Sequence, residues 1–453
     1  MSGTGALAAG ACRAPMRSAP ISPTIIVDQP SALNDTPIKI EVQGLLPHRL
    51  VTITATQKFS NSTRWRSHAT FTADDGGHVD VTRQPPISGT YDGVSPMGLF
   101  WSAERLPGDA QPRPVDSVMH PWFVDLEATT PDGTRARATL ERRAAGPGVI
   151  RHSLRTAGIV GTLFLPPGDG PHPAVILPSG GGGEIEEYRG AILASHGYAA
   201  LALAYFNVEG LPRGLVNIPL EYFENAIRWM RAQPWLQDRF LTVWGSSRGG
   251  ELALLLGATF ADINAVIAWV PSGVVFWALG LPERGDTRPR ASWTFRGKPL
   301  PYLQENNASM GTPPVAQRGR PVAFTPFYLS HLRDAAAVER ATIPVERTHG
   351  PILLVSGTDD QMWPSSALAD IAVHRLQTHR HAFGFRHLRY EGAGHTILVP
   401  YGPLTTRAIG LTVQGFSGYL YSQGGTPKAD AEAGADAWQN ALAFLEKGAG
   451  ART

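Results

Sequence analysis

Cysteine is nearly absent from this chain of 453 residues, which contains only Cys12. A single thiol excludes an internal disulfide framework and a metal site built from cysteines. It favours a reducing compartment, although a secreted protein without disulfides would share this feature. A surplus of charge is missing too, since 40 Lys and Arg stand against 38 Asp and Glu. This balance argues against the clustered basic surface of a nucleic-acid-binding protein.

Long hydrophobic runs are also missing. The most apolar segments, such as AALALAYF at 199–206, are far shorter than the ~20 residues that a membrane-spanning helix needs. The start, MSGTGALAAGACRAP, lacks the basic n-region and the apolar core of a signal peptide. We therefore predict a disordered N-terminal tail over residues 1–20, no membrane span and a cytoplasmic location.

Two regions of the chain differ in their hydrophobic pattern. From Ile25 to about Arg143, short alternating runs such as IKIEVQG and LVTITATQ are separated by Gly, Pro, Asn and Asp, as is typical of an antiparallel β-sandwich. Further on, apolar runs such as PAVILPS, FLTVWG and PILLVSG alternate with helical segments. That alternation predicts a mostly parallel sheet with helices on both sides. The predicted domains are a β-sandwich over 21–147 and an α/β domain over 148–450.

One block interrupts the alternation of strands and helices. Residues 273–347 are polar and rich in proline, and they fall between two predicted strands. A long segment of this kind inside a compact domain is usually functional or disordered. Its aromatic side chains either line a pocket for an acyl group or an acceptor, or anchor a surface insertion. They include Trp293, Phe295, Tyr302 and Phe324.

The segment LTVWGSSRGGELAL, residues 241–254, places two adjacent serines between glycines. A nucleophile on a sharp strand-to-helix turn needs small residues two positions before and two after it. Ser247 has Gly245 and Gly249 at those positions, whereas a tryptophan and an arginine occupy them around Ser246. A predicted strand precedes this G-x-S-x-G pattern and a predicted helix follows it. The pattern therefore favours Ser247 as a nucleophile.

A serine hydroxyl becomes a good nucleophile when an imidazole accepts its proton and a carboxylate orients the imidazole. In α/β hydrolases the acid and then the histidine follow the serine along the chain. The strand PILLVSG leads into a turn with Asp359 and Asp360, and the strand HLRYEG leads into His395. Acidic pairs after strands are also typical of turns and caps. We favour Asp360 as the acid because its G-x-x-D-x-x-W-P frame resembles acid loops of this fold, and Asp359 as a turn residue.

The glycine-rich segment VILPSGGGGEIEEYRG follows an early predicted strand. In this fold that position supplies one oxyanion N–H, and the residue after the nucleophile supplies another. We therefore predict an oxyanion hole made by the amides of Arg248 and of Gly180 or Gly181. The segment lacks the features of a P-loop or a dinucleotide-binding loop. No spacing of His, Asp or Glu resembles a zinc site, so we expect neither a cofactor nor a metal.

Several longer motifs resemble a known family. DGVSPMGLFWS, EYRGAILASHGYAALALAYFNVEGLP and GPILLVSGTDDQMWPS are similar to segments of the acyl-CoA thioesterases related to bile acid-CoA:amino acid N-acyltransferase. The resemblance extends from about residue 20 to the C-terminal helix. It implies a β-sandwich followed by an α/β-hydrolase domain, with a catalytic triad of Ser247, Asp360 and His395. Members of this family that transfer acyl groups resemble one another in having a cysteine nucleophile, whereas the thioesterases have a serine. By this resemblance, Ser247 favours hydrolysis.

Three functions can be compared on this basis. The first is a serine hydrolase that cleaves acyl thioesters, above all acyl-CoA, through an acyl-enzyme. The second is an acyltransferase that moves the acyl group from CoA or an acyl carrier protein to an amine or hydroxyl acceptor. The third is a binding protein with a vestigial site, against which the intact candidate triad argues. Neither the acyl length nor the oligomeric state follows from these motifs.

Overall fold

A computed structural model describes residues 22–108, 116–280, 290–304, 314–315, 319–410 and 419–450. The predicted N-terminal tail, residues 1–20, lies outside the described residues, as do parts of the long insert. No helix within these ranges is long and apolar enough to cross a membrane.

Two sheets and one short helix form the N-terminal region. The elements are β1 (Thr24–Val27), β2 (Ser31–Leu33), β3 (Ile40–Gln43), β4 (Leu50–Lys58), β5 (Arg64–Thr72), β6 (Val79–Asp80), β7 (Ser88–Gly89), α1 (Gly98–Trp101), β8 (Glu104–Arg105), β9 (Trp122–Thr129) and β10 (Arg135–Arg143). The small sheet has the order β1-β3-β6, and the large one has the order β2-β10-β9-β4-β5-β7, with β8 beside β5. Within the described residues of this region, β2 and β10 are the one parallel pair. Apolar residues from both sheets share one core, which confirms the predicted sandwich.

The C-terminal region contains one large sheet, several short strands outside it, and helices around the large sheet. Its strands are β11 (Ile150–Thr156), β12 (Ile159–Leu165), β13 (His172–Pro178), β14 (Ala199–Ala204), β15 (Ile218–Pro219), β16 (Leu236–Ser246), β17 (Ala265–Trp269), β18 (Trp293–Phe295), β19 (Lys298–Pro299), β20 (Pro321–Val322), β21 (Ile352–Gly357), β22 (Phe385–Tyr390), β23 (Ala408–Gly410) and β24 (Leu420–Ser422). The helices are α2 (Glu187–Ser195), α3 (Leu220–Arg231), α4 (Arg248–Thr259), α5 (Thr325–His331), α6 (Ala335–Ala341), α7 (Ser365–Thr378) and α8 (Pro427–Gly450).

The large sheet has the strand order β11-β12-β14-β13-β16-β17-β21-β22. Its first three strands pair antiparallel, and the remaining pairs are parallel. Residues of α3, α4 and α7 pack on one face, and residues of α2 and α8 pack on the other. The central strands are buried on both faces, which explains their continuous apolar runs. The predicted α/β-hydrolase architecture is therefore confirmed.

The predicted insert lies between the neighbouring parallel strands β17 and β21. Its described part contains short strands and the helices α5 and α6. Aromatic side chains form a core of their own there: Phe276, Trp277, Phe324 and Phe327 are buried together with Trp363. The segment is thus a packed layer beside the carboxyl ends of the sheet strands, where α/β folds bind their ligands.

Buried hydrogen bonds join the sandwich to the C-terminal region. Oδ2 of Asp35 accepts a hydrogen bond from Nε1 of Trp438 at 2.7 Å and lies 2.6 Å from Nε2 of His196. Asn34 donates its side-chain N–H to the carbonyl oxygen of Pro400 at 2.8 Å. Since an unpaired buried polar group is costly, these bonds hold the two regions in one arrangement.

Candidate active site

The turn between β16 and α4 holds Ser247 in a strained conformation. Its φ of 58° and ψ of −123° are rare for a residue with a side chain. A Cβ atom on Gly245 would lie 1.9 Å from the carbonyl oxygen of Gly249. One on Gly249 would lie 2.7 Å from the carbonyl oxygen of Ser179. Only glycine allows the strand and helix to approach this closely, which gives the G-x-S-x-G pattern its physical basis.

The two serines of the turn have different surroundings. Ser246 ends β16, and its hydroxyl accepts a hydrogen bond from Nη2 of Arg189 at 3.0 Å. That guanidinium is buried and lies over the rings of Trp244 and Trp269, 5.4 and 5.5 Å from their centroids. Ser247 stands at the tip of the bend, at the first turn of α4.

The structure brings the predicted acid and base together. Oδ2 of the buried Asp360 lies 2.8 Å from Nδ1 of His395. Oδ1 of Asp360 accepts the backbone N–H groups of Met362 and Trp363 at 3.0 and 3.2 Å. These three contacts fix the orientation of the carboxylate. The adjacent Asp359 is exposed, and its carboxylate accepts a backbone N–H at 2.9 Å, as a turn residue would.

Ser247 and His395 line one cavity with a volume of 580 Å³. The predicted oxyanion residues Gly180, Gly181 and Arg248 line the same cavity. Most of the remaining wall is apolar or aromatic, and includes Phe324, Tyr328, Met362, Trp363, Ile397, Leu398, Leu404, Ile409 and Tyr421. A cavity with these walls can hold an acyl chain beside a reactive hydroxyl.

The glycine-rich loop after β13 runs directly beside the strained turn. A Cβ atom on Gly180 would lie 4.0 Å from Cβ of Ser247, and one on Gly181 would lie 3.5 Å from Cγ of Arg248. The side-chain amide of Asn207 fixes the loop by donating to one of its carbonyl oxygens at 2.8 Å. The backbone of the loop and the start of α4 therefore face the same space, as an oxyanion hole requires.

A buried ion pair links the start of α4 to the insert. Nη1 of Arg248 lies 2.6 Å from Oε2 of Glu251, and Nε1 of Trp293 donates to Oε1 of Glu251 at 2.8 Å. The same guanidinium donates to the carbonyl oxygens of Phe276 and Trp277 at 3.3 and 3.2 Å. Burial raises the pKa of the Glu251 carboxyl to about 7. This network holds the insert against the helix that begins directly after Ser247.

The aromatic residues predicted to contact substrate are placed differently from one another. Phe324 lines the Ser247 cavity. Trp293 does not, because it is fully buried behind α4 with its indole N–H satisfied by Glu251. Its burial favours the alternative that Trp293 anchors the insert. Phe295 and Tyr302 are partly buried against the core and lie outside the lining of this cavity.

The sequence reasoning missed several cavity residues. Tyr328, Tyr421 and Met362 were not singled out, since no local motif marks them. Trp363 belongs to the G-x-x-D-x-x-W-P frame around Asp360, and its ring lies 6.3 Å from the His395 ring and lines the cavity. Its proximity to Asp360 in the sequence is the one signal that could have identified it.

The fold and the strained serine turn define an α/β hydrolase. Residues 218–451 match the family model "BAAT / Acyl-CoA thioester hydrolase C terminal", and residues 35–156 match "Acyl-CoA thioester hydrolase/BAAT N-terminal region". The chain therefore belongs to the BAAT / acyl-CoA thioester hydrolase family.

Individual relatives agree with the family models. The chain is 33% identical to "Acyl-coenzyme A thioesterase 2, mitochondrial" of Mus musculus, over 92% of this chain and 88% of the relative. It is 32% identical to the "Peroxisomal succinyl-coenzyme A thioesterase" of Mus musculus, over 91% and 93%. Among solved structures, it is similar to a putative dienelactone hydrolase from Klebsiella pneumoniae at 15% identity, with a TM-score of 0.36 and coverage of 66% of this chain and 98% of that chain.

Proposed function

We propose that this protein is a serine thioesterase that hydrolyses acyl-CoA to a free acid and CoA through an acyl-enzyme. The observation that carries the proposal is the 2.8 Å contact between Asp360 and His395 beside a cavity that also contains the strained Ser247. Two relatives named as CoA thioesterases support CoA as the thiol half of the substrate. These relatives and the serine at position 247 do not favour the acyltransferase alternative.

The proposed reaction uses the groups around the strained turn in sequence. Oγ of Ser247 attacks the thioester carbonyl carbon while Nε2 of His395 takes the hydroxyl proton. Asp360 keeps the other ring proton on Nδ1 and stabilises the imidazolium. The backbone N–H groups of Arg248 and of Gly180 or Gly181 bind the oxyanion. CoA leaves as the thiol with the proton from His395, and a water molecule activated by the same ring then releases the acid.

The apolar cavity wall supports an aliphatic acyl group as the other half of the substrate. Thioesters of an acyl carrier protein present the same carbonyl, so decanoyl carrier protein should be assayed beside decanoyl-CoA. A cytoplasmic location is a further part of the proposal and rests on the single cysteine of the chain. Two relatives are named mitochondrial and peroxisomal, so fractionation of the native cells is the test.

The proposal is tested by thiol release from decanoyl-CoA and by labelling with a fluorophosphonate. We expect Ser247→Ala to lower kcat by at least roughly 10³-fold and to abolish labelling. Ser246→Ala is the matched control, since it removes only the hydrogen bond from Arg189 at 3.0 Å. It should retain labelling and lose far less activity than Ser247→Ala, because the lost hydrogen bond contributes about 1.5–3 kcal/mol to the stability of the turn and takes no part in the proposed reaction. Full turnover by Ser247→Ala would overturn the assignment.

A further inference from the structure

A second cavity, with a volume of 490 Å³, lies where the sandwich meets the C-terminal region. One wall comes from β5, β8 and the start of β9, and the other from α2 and residues 398–403. Glu186, Leu398 and Pro403 line both this cavity and the one that contains Ser247. The two cavities are therefore adjacent.

The sandwich wall of this interdomain cavity combines aromatic rings with a cationic group. Phe59 and Trp122 are stacked with their ring centroids 5.9 Å apart. Trp65 lies directly opposite Arg105 in the antiparallel pair of β5 and β8, so both side chains are on the same face of the sheet. Among the described residues, the guanidinium of Arg105 has no ion pair. An indole beside such a guanidinium suits a purine that carries phosphate, since the base stacks and the guanidinium binds phosphate oxygens.

The opposite wall adds to the positive charge. Arg189 lines the cavity with 4% of its surface exposed, and its Nε has no hydrogen-bond partner in the described part of the chain. Its acidic neighbour is Glu186, at 3.8 Å. His120 also lines the cavity, and its Nε2 lies 3.1 Å from Asp116. The two arginines exceed the single carboxylate in the lining, so an anionic ligand is favoured.

The two halves of an acyl-CoA match the two cavities. The Ser247 cavity has mainly apolar walls, whereas the interdomain cavity also has a polar edge formed by Ser60, Asn61 and Thr63. We propose that the interdomain cavity binds the phosphorylated adenosine end of CoA while the acyl chain occupies the Ser247 cavity. This inference rests on the proposed function, because it assigns a place to the leaving thiol of that reaction.

The test compares decanoyl-CoA with the decanoyl thioester of N-acetylcysteamine, which lacks the nucleotide. The readout is the ratio of kcat/KM for the first substrate to kcat/KM for the second. Trp65→Ala and Arg105→Gln should each lower this ratio about tenfold, the size of effect expected for one base stack or one phosphate contact. Arg66→Gln is the control: Arg66 follows Trp65 in β5, points to the opposite face and lies outside the cavity lining. It should leave the ratio unchanged.

The outcomes separate this inference from the proposed function. If the wild-type protein cleaves both thioesters and neither variant changes the ratio, the interdomain site is rejected while hydrolysis stands. An equal loss with both substrates would mean that the cavity holds the acyl chain, and it would also reject the site. If the wild type cleaves neither thioester, the proposed function fails, and calorimetric titration with free CoA still tests the cavity. Arg105 is exposed, so Arg105→Gln should fold and bind CoA about tenfold more weakly; unchanged affinity would overturn the inference.

Discussion

Asp360→Asn is expected to disable the enzyme by forcing the wrong imidazole tautomer. Oδ1 of Asp360 accepts backbone N–H groups from Met362 and Trp363 at 3.0 and 3.2 Å, so the amide oxygen of the asparagine is held at that position. The amide NH₂ then replaces Oδ2, which lies 2.8 Å from Nδ1 of His395. Because Nδ1 must accept this N–H, the ring proton sits on Nε2. A protonated Nε2 cannot take the proton of Ser247.

The magnitude follows from the cost of turning the amide over. In the flipped orientation two backbone donors face an NH₂ group, and each unsatisfied buried donor costs about 1–3 kcal/mol. The productive tautomer therefore lies about 2–6 kcal/mol above the trapped one. At 1.36 kcal/mol for each tenfold change in rate, the middle of this range corresponds to a loss on the order of 10³-fold in kcat.

The assay is steady-state release of free thiol from decanoyl-CoA, with circular dichroism to confirm folding. Asp359→Asn is the matched control, since Asp359 belongs to the same turn but is exposed. Among the described residues, its carboxylate accepts hydrogen bonds from the Gly425 backbone and the Gln361 side chain, at 2.9 and 3.3 Å. It should change kcat by no more than about twofold, as is usual for a surface substitution. The reasoning is refuted if folded Asp360→Asn keeps more than about a tenth of the wild-type kcat, or if both variants lose activity equally.

Three further predictions concern the frame around the site. Gly245→Ala should destabilise the protein by about 1–3 kcal/mol and lower kcat about 100-fold, because its Cβ would lie 1.9 Å from the Gly249 carbonyl oxygen. Urea unfolding measures the loss of stability, and thiol release measures the loss of activity. Burial raises the pKa of Glu251 from 4.5 to about 7, so the folded state binds its proton more tightly than the unfolded state does. The unfolding free energy of the wild type relative to Glu251→Gln should therefore fall as pH rises from 4.5 to about 7. A rise over this interval would contradict the prediction. Asp35→Ala leaves the buried Trp438 indole N–H unpaired and should cost about 1–3 kcal/mol in urea unfolding; an unchanged midpoint would contradict it.

The residues of the candidate triad could be proposed from the sequence because each requirement of such a site is local. The close approach of β16 and α4 leaves room only for glycine at positions 245 and 249, so the steric requirement is visible in the residues that flank Ser247. The acid and the base each follow a short apolar run, and parallel strands bring their carboxyl ends to one edge of the sheet. The hydrophobic patterns of the two regions likewise predicted an antiparallel β-sandwich and a mostly parallel sheet, because the periodicity of apolar side chains follows their burial.

The residues around the candidate triad are brought together by long-range contacts, which no local sequence pattern indicates. Trp293 stands in a polar, proline-rich block and could be taken for a pocket residue. It is buried, and its indole N–H is satisfied by Glu251, a partner 42 positions away. The cavity wall is assembled from separate segments that include Phe324, Trp363 and Tyr421, and only the folded chain brings them together.

The sandwich contributes to the active site through the segment that follows His395. The backbone N–H of Leu404 donates to the carbonyl oxygen of Trp101 at 2.9 Å. The hydroxyl of Thr405 donates to the carbonyl oxygen of Ala103 at 2.7 Å. Leu404 also lines the Ser247 cavity. One wall of this cavity is therefore held in position by hydrogen bonds from the N-terminal region. Because a misplacement of about 1 Å can cost 100-fold in rate, the sandwich has a direct physical connection to catalysis.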